Sequence, residues 1–350
     1  MDALSDYDYE LPPDLIAQAP AERRDASRLL VLERRTGRIE HRVFRDILGC
    51  LRRDDVLVLN ETKVFPARLR ARRPSGRAVE ILLLAPDEGD GSWSALARPA
   101  RLLRPGAELA LGAGAAARAV RRERDRVVVE IRRAGRKLDP DRVVRLCEEI
   151  GEVPLPPYVR REEGRGRDPL DLERYQTVYA RRVGSVAAPT AGLHFTEDIL
   201  GEIQAAGIGV VRVTLHVSYG TFKPLDEETF RAASLHEEEV EVDPEAGRAI
   251  LDAVRAGRRI VAVGTTSVRA VETFLASGGA SYRGRTGLFI KPGYRFLGAG
   301  ALLTNFHLPR SSLLLLVSAF AGRDLVLRAY REAVRERYRF YSYGDAMLIL

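Results

Sequence analysis

The sequence predicts an α/β protein: a main α/β domain of barrel-like form with a small all-β barrel inserted into it. Three observations carry this reading. From Gly184 onward, apolar strand-like runs alternate with helical stretches in strand–turn–helix order, the pattern of a sheet covered by helices. Between Lys63 and Pro154, short β-like runs succeed one another across turn signals, with no helix until Asp141. Four polar blocks each follow an apolar strand-like run: Pro189-Thr190-Ala191-Gly192-Leu193-His194-Phe195-Thr196, Leu215-His216-Val217, Gly264-Thr265-Thr266-Ser267 and Thr304-Asn305-Phe306-His307. Residues just past parallel strands converge at the rim of an α/β sheet, so these blocks are expected to share one crevice.

The elements follow in order. Met1 to Glu10 is acidic and aromatic and lacks the basic start and apolar core of a secretion signal. In the inserted segment Val79 to Leu84, Trp93 to Ala97, Glu108 to Leu111 and Arg126 to Ile131 read as strands. Turns fall at Pro74-Ser75-Gly76, Asp90-Gly91 and Pro105-Gly106, and a helix at Asp141 to Ile150. Pro154-Leu155-Pro156-Pro157 is a stiff extended exit. The division is therefore 1–62 plus 155–350 as the main catalytic domain and 63–154 as the inserted β-barrel. Arg160 to Asp168, charged and without apolar period, is expected as a mobile loop, an ordinary surface connection more readily than a substrate gate.

Beyond it, Val186 to Ala188 leads into the first polar block. Thr196 then caps a helix whose first turn holds Glu197 and Asp198, and Gly207 closes it. Ile208 to Val217 is a strand carrying His216. Asp243-Pro244 opens a helix through Ala246 to Ala256 that Gly257 ends. Arg259 to Val263 is a buried strand turning through Gly264-Thr265-Thr266-Ser267 into a helix from Val268 to Ala276. Strands at Gly287 to Ile290, Leu302 to Phe306 and Ala346 to Leu350, and helices from Ser311 and over Asp324 to Arg337, complete the chain.

Composition narrows the function classes. A chain of 350 residues, 45% of them hydrophobic, buries a sizeable core. Cys50 and Cys147 lie far apart without C-x-x-C spacing, so neither a disulfide framework nor a thiolate metal site is indicated, and a cytoplasmic location is expected. The longest apolar run, Leu313 to Val317, is too short to span a bilayer. Net charge is +7, and the segment from Lys63 to Pro154 holds 20 basic against 13 acidic residues, leaving 36 of each sign elsewhere. A polyanion partner would use such a segment, but so would a solvated basic face in a chain with 52 Arg and four Lys.

The polar blocks carry the chemistry. Gly264-Thr265-Thr266-Ser267 offers backbone N–H groups and hydroxyls at a helix N-terminus, suited to a phosphate or carboxylate or simply to capping the helix. Neither G-x-x-x-x-G-K-[ST] nor G-x-G-x-x-G occurs, which removes the main support for nucleoside triphosphates and nicotinamide cofactors. His194, His216 and His307 close strands, where imidazole can move protons near neutrality; a single one is more often a buried structural residue, but three at successive strand ends point to a site. His236, before Glu237-Glu238-Glu239, is either an oriented base or part of a solvated acidic run. No H-x-H or H-E-x-x-H pair brings metal ligands together locally, and no metal is expected.

These blocks extend into longer motifs: Gly184-Ser185-Val186-Ala187-Ala188 before the first, Val263 to Arg269 around the third, Thr304-Asn305-Phe306-His307-Leu308-Pro309, and Ser342-Tyr343-Gly344-Asp345-Ala346-Met347. With Tyr9-Glu10-Leu11-Pro12-Pro13 and Leu57-Val58-Leu59-Asn60-Glu61-Thr62-Lys63-Val64, they closely resemble the S-adenosylmethionine:tRNA ribosyltransferase-isomerase family of queuosine biosynthesis along essentially the whole chain. Ser218-Tyr219, where Gly-Ala is common, and Ser234-Leu235-His236-Glu237, where a His-x-Met-His-x-Glu stretch is usual, depart from it.

The resemblance implies transfer and isomerisation of the ribosyl moiety of S-adenosylmethionine onto 7-aminomethyl-7-deazaguanine at the tRNA wobble position, giving epoxyqueuosine with release of adenine and methionine. S-adenosylmethionine is then a consumed substrate, no cofactor is needed, and the partners are that donor and tRNA, with no membrane and the chain a monomer. The sulfonium acidifies the ribose C5′ hydrogens, so a base must act, and His194 is the first candidate. His216 or His307 suits protonation of adenine, and Glu237 and Asp345 suit the ribose hydroxyls. Thr265, Thr266, Ser267 and Arg269 suit the methionine carboxylate, while Thr190, Ala191, Gly192, Phe195 and Asn305 complete the substrate-binding set. Tyr175, Tyr179 and Phe195 are candidate stacking partners for the wobble base, and Arg121, Arg122, Arg132 and Arg133 for tRNA phosphates. A metal-dependent hydrolase built on the strand-end histidines and a non-catalytic RNA-binding protein are the alternatives.

Overall fold

Burial along single strands separates the layers. β1 (Arg28–Leu32) pairs with β2 (Ile39–Val43) across a turn in which Gly37 takes φ +71°. Leu29 and Val31 enter one core cluster and Leu30 and Leu32 another, so the period-two alternation serves both faces of the sheet. β3 (Val56–Asn60) is buried along its whole length, as a strand covered on both faces must be. β4 (Thr62–Val64) then leads into the insert. The computed structural model describes residues 3–87, 89–123, 126–162, 166–218, 225–232 and 236–350.

In the insert, β5 (Arg68–Arg72), β6 (Ala78–Pro86), β7 (Trp93–Arg98), β8 (Glu108–Gly112), β9 (Ala115–Arg122) and β10 (Val127–Arg133) are antiparallel neighbours in the order β10-β7-β6-β5-β8-β9, and β9 pairs back to β10. A closed six-stranded barrel results, extended by the short β11 (Arg136–Lys137). α1 (Pro140–Ile150) is capped by Asp139, whose Oδ1 accepts from the Arg142 amide at 2.9 Å, and it lays Val143, Leu146 and Cys147 on the barrel core. The alanine-rich β9 escaped the sequence reading because its residues have weak strand propensity; pairing on both sides supplies what propensity lacks.

The rest of the chain comprises α2 (Pro169–Arg174), β12 (Arg182–Ser185), α3 (Glu197–Ala205), β13 (Gly209–Leu215), α4 (Glu227–Ala232), β14 (Glu238–Val242), α5 (Pro244–Arg255), β15 (Ile260–Val263), α6 (Thr265–Ser277), β16 (Tyr282–Thr286), β17 (Ala299–Asn305), α7 (Ser312–Ala321), α8 (Arg323–Arg335) and β18 (Ala346–Ile349). The main sheet has the order β16-β14-β13-β3-β15-β17-β18-β1-β2. β13, β3, β15 and β17 are mutually parallel, so Leu215, Asn60, Val263 and Asn305 end on one rim. β18 runs antiparallel to β17 with Ala346 opposite Asn305, which brings the segment before it to that same rim. The α/β class with an inserted all-β barrel thus stands, the main sheet being open at β16 and β2 among the described residues.

The anticipated caps are present. Thr196 Oγ1 accepts from the Ile199 amide and Asp243 Oδ1 from Ala246; Ser311, expected only as a helix start, also caps, its Oγ accepting from Leu314. Two elements differ from expectation. The strand foreseen at Gly287 to Ile290 lies earlier, as β16, because Tyr282–Thr286 pairs with β14. The acidic run at 237–239 is not a uniformly solvated face: Glu238 begins β14 and is buried. Positions 163–165 of the anticipated loop, Tyr219 and Ser234-Leu235 lie outside the described residues.

Candidate active site

The strand rim opens into a cleft lined by Thr190, Ala191, Gly264, Thr265, Thr266 and Asn305, among others. All four polar blocks therefore reach it, the second through Val217 alone and not through His216. His307, Thr304, Phe306, Val217, Ser311, Tyr158, Tyr341 and Ser342 also line it.

The turn from β15 into α6 positions one wall. Gly264 takes φ +87°, a left-handed backbone that glycine adopts without strain, and its amide donates to Leu303 O at 2.8 Å. No side chain caps the helix, so the amides of its first turn are open to a ligand. The Thr266 hydroxyl is buried without a hydrogen-bond partner. A buried unpaired hydroxyl costs about 1–3 kcal/mol, which a bound acceptor or donor would relieve. Ser267 does not share this role: its Oγ donates to Val263 O at 2.7 Å within the helix. Neither does Arg269, whose guanidinium forms an ion pair with Glu238 and donates to Leu288 O at 3.1 Å.

A chain of hydrogen bonds runs under the opposite wall. Thr190 Oγ1 donates to Asn305 Oδ1 at 2.8 Å, and Asn305 Nδ2 donates to His194 Nε2 at 3.2 Å. An amide donor at Nε2 requires the proton on Nδ1, which donates to Ser27 Oγ at 2.7 Å. His194 is thus a neutral ring with both nitrogens engaged, and burial, helped by the Arg339 and Arg24 charges, brings its pKa down to about 3. It lies one layer beneath the cleft and does not line it. This corrects its expected place as the base in contact with substrate.

His307 does line the cleft, with Nε2 2.7 Å from Thr304 Oγ1 and a pKa brought down to about 3 by burial. His216 is not among the residues that line the cleft. Its Nδ1 shares a 2.7 Å hydrogen bond with Thr62 Oγ1, which lies 2.8 Å from Ser185 Oγ, and burial lowers its pKa. A Cβ on Gly184 would come within 2.7 Å of that ring, so glycine is needed there.

Other expected residues are placed elsewhere. Asp345 is buried as a backbone clamp, accepting from the Arg28 amide at 2.9 Å and the Arg339 amide at 2.7 Å, so it has no carboxylate to offer ribose in the cleft. Glu237 is exposed beside β14, off the cleft. Phe195 is core, edge-on to Phe44 at 5.0 Å, and Tyr175 and Tyr179 are buried, which corrects their expected stacking on a base. Gly192 packs: a Cβ there would lie 1.9 Å from Tyr179 Oη.

Sequence reasoning missed the aromatic wall. Tyr158 and Tyr341 stand with ring centroids 4.7 Å apart, and Tyr158 Oη is 2.6 Å from Ser342 Oγ. Tyr158 directly follows the Pro156-Pro157 pair taken only as a boundary, and Tyr341 directly precedes a quoted motif. Tyr341 has φ +70°, an unusual backbone for a bulky residue, which no sequence pattern announces. Among the described residues no group of three His, Cys, Asp or Glu side chains is arranged to hold a metal, and no helix is long and apolar enough to cross a membrane.

Comparison with known proteins gives a consistent result. The model of the family described as "Queuosine biosynthesis protein" matches residues 4–349. A Thermotoga maritima protein named S-adenosylmethionine:tRNA ribosyltransferase-isomerase is 49% identical over 348 residues, covering 99% of each chain. A Rubrobacter xylanophilus protein of that name is 51% identical over 346 residues, covering 99% of this chain and 97% of its own. A crystal structure of S-adenosylmethionine tRNA ribosyltransferase from Thermotoga maritima aligns with TM-score 0.56 at 40% identity, over 99% of this chain and 100% of that one.

Proposed function

The chain belongs to the queuosine biosynthesis protein family and is an enzyme that transfers and isomerises the ribosyl moiety of S-adenosylmethionine onto tRNA; we propose that it does so in the cleft at the strand rim. The acceptor is 7-aminomethyl-7-deazaguanine at the wobble position, and adenine and methionine depart. One observation supports the location most: Thr190, Thr265, Thr266, Asn305 and His307, from three distant parts of the chain, share one cleft beside an uncapped helix N-terminus.

The donor carboxylate is assigned to the α6 amides and the Thr266 hydroxyl, without Arg269. The sulfonium is assigned to the Tyr158–Tyr341 wall, whose ring faces attract cations. His307 is the proton acceptor for the ribose C5′ hydrogen. Burial keeps it neutral across the physiological range, and the imidazolium formed is a strong acid able to pass that proton to departing adenine. His194 acts through Asn305 as a positioning residue, holding the amide that orients Thr190; His216 likewise acts through Thr62. The domain division at 63–154, a monomeric state without cofactor and a cytoplasmic location belong to this same proposal. Neither a metal-dependent hydrolase nor a non-catalytic RNA-binding role gains support from the relatives.

The test uses S-adenosylmethionine deuterated at C5′. His307→Asn should abolish tRNA-dependent adenine release and loss of C5′ label. Label loss at the unaltered rate would remove His307 from the chemistry.

A further inference from the structure

We propose that a small cavity behind Ser342 binds a backbone phosphate of the tRNA strand whose modified base occupies the cleft. The cavity is lined by Arg24, Arg174, Arg339, Ser27, His194 and Ser342, together with neighbouring backbone, and no carboxylate is among its lining residues. Ser342 also lines the cleft, so the two spaces share a wall. This inference rests on the tRNA reading of the cleft given above.

The three arginines come from separate segments to line this one cavity, and among the described residues only Arg339 has an anionic partner. Arg24 donates to Leu193 O at 3.2 Å and to Glu173 O at 2.9 Å, and Arg174 donates to Glu22 O at 3.1 Å and to Ala21 O at 2.6 Å. Backbone carbonyls orient these groups but carry no net charge. Among the described residues neither Arg24 nor Arg174 makes an ion pair, and Arg339 has only Asp345, at 3.6 Å. That carboxylate is already engaged by two backbone amides. Arg174 Nε is buried with no hydrogen-bond partner, a donor without an acceptor. Burial, and then the Arg174 charge, hold Arg24 below its ordinary value, ahead of the opposing pull of Glu173.

Three converging guanidiniums and a spare N–H call for a small oxyanion, since charged hydrogen bonds to phosphate relieve both the repulsion and the unpaired donor. Two sources present one beside the cleft: a tRNA phosphate and the donor carboxylate. The open α6 N-terminus and the Thr266 hydroxyl already suit the carboxylate, and the charge of three arginines suits a phosphodiester, which positions a strand without reading its sequence.

The experiment is steady-state adenine release by the full chain, with tRNA and S-adenosylmethionine varied separately at several salt concentrations. Arg174→Gln, which keeps side-chain N–H donors and removes the charge, should raise the tRNA KM roughly tenfold. It should reduce the slope of log KM against log salt by about 0.7, one phosphate on a single strand, with kcat and the S-adenosylmethionine KM unchanged. Arg24→Lys, retaining charge, should keep the salt slope. A rise in the S-adenosylmethionine KM with unchanged tRNA salt slope would assign the cavity to the donor carboxylate and overturn the proposal. So would a folded Arg174→Gln protein indistinguishable from the parent. If the parent itself released no adenine, the reading of the cleft would fail; if it did and only the salt slope stayed constant, this inference alone would fall.

Discussion

Two arginine-rich regions of this molecule are built in opposite ways. On the inserted barrel, which holds the whole sequence surplus of positive charge, most of the singled-out arginines have a local acid. Arg121 lies 2.5 Å from Asp87 and 3.2 Å from Glu123, Arg133 lies 2.8 Å from Glu149, and Arg132 lies 3.8 Å from Glu130. On the strand rim, Arg24, Arg174 and Arg339 come from the rest of the chain, where 36 basic and 36 acidic residues balance, and they line one cavity that lacks a carboxylate. Counting charge along a chain measures density in sequence. What a polyanion feels is density in space left unneutralised, and the rim cavity gathers three arginines with no carboxylate among its lining residues.

The same contrast holds for packing, and the largest predicted effect tests it. Gly192→Ala places a Cβ 1.9 Å from Tyr179 Oη and 2.8 Å from Thr177 Cγ2, so the turn under the cleft must move. A loss of about 3 kcal/mol is expected, with collapse of activity. Gly114→Ala on the barrel has open space around it and faces only its φ of +69°, so about 1 kcal/mol is expected. Urea unfolding of the two variants checks the order; equal losses would show that the rim is no tighter than the barrel.

Asn305 comes next. Removing its amide in Asn305→Ala leaves the Thr190 hydroxyl and His194 Nε2 without their partner. A fall in kcat of roughly 100-fold is expected with little change in the S-adenosylmethionine KM, as for loss of one preorganised polar group at a reacting centre. A KM effect alone would reduce the Thr190–Asn305–His194 chain to packing.

Acid stability separates the regions further, because the insert contains no histidine while the rim buries His194 and His307. Both have pKa about 3 in the folded chain, below the free value near 6.5. Between those values the unfolded chain binds more protons, so stability is full above pH 6.5 and falls as the pH drops toward 3. Each histidine contributes about 1.4 kcal/mol per pH unit in that window. Urea melts at pH 7, 6 and 5 should show the fall, and His194→Asn should remove a large share of its slope, His307 and His216 carrying the rest. A slope unchanged by that replacement would mean that His194 stays protonated when folded.

These contrasts also show what was legible in the sequence. Strand ends and helix starts were readable wherever local chemistry decides them: Thr196, Asp243 and Ser311 cap as their types require, and the Gly264 turn opens α6. The meeting of the polar blocks followed from the parallel order of β13, β3, β15 and β17. Whether a group faces the cleft or the layer below was not readable. His194 and Thr190 lie four residues apart in one turn, yet one lines the cleft and the other is sealed beneath it by Asn305, a residue 111 positions away from His194. Arg269 and Asp345 were read by type as ligands for substrate, but Glu238 and the backbone amides of Arg28 and Arg339 claim them. Such tertiary partners leave no local mark. Tyr158 and Tyr341 went unseen for the same reason.

The smallest effects belong to the barrel arginines, and they decide how far the comparison extends. Arg133→Ala breaks an exposed pair with Glu149, so stability should change by less than about 0.5 kcal/mol. Charge reversal of Arg121, Arg122, Arg132 and Arg133 together should weaken tRNA binding and flatten its salt dependence if the insert docks the strand. Because Arg121, Arg132 and Arg133 already have acidic neighbours, each neutralises less of a phosphate than an unpaired arginine, and the combined slope change per residue should fall below that of Arg174→Gln alone. A larger change per residue on the barrel would invert the comparison, making the insert the main docking surface and the rim cavity secondary. Binding isotherms of tRNA over a salt series, with melting curves to exclude unfolding, distinguish the two orders.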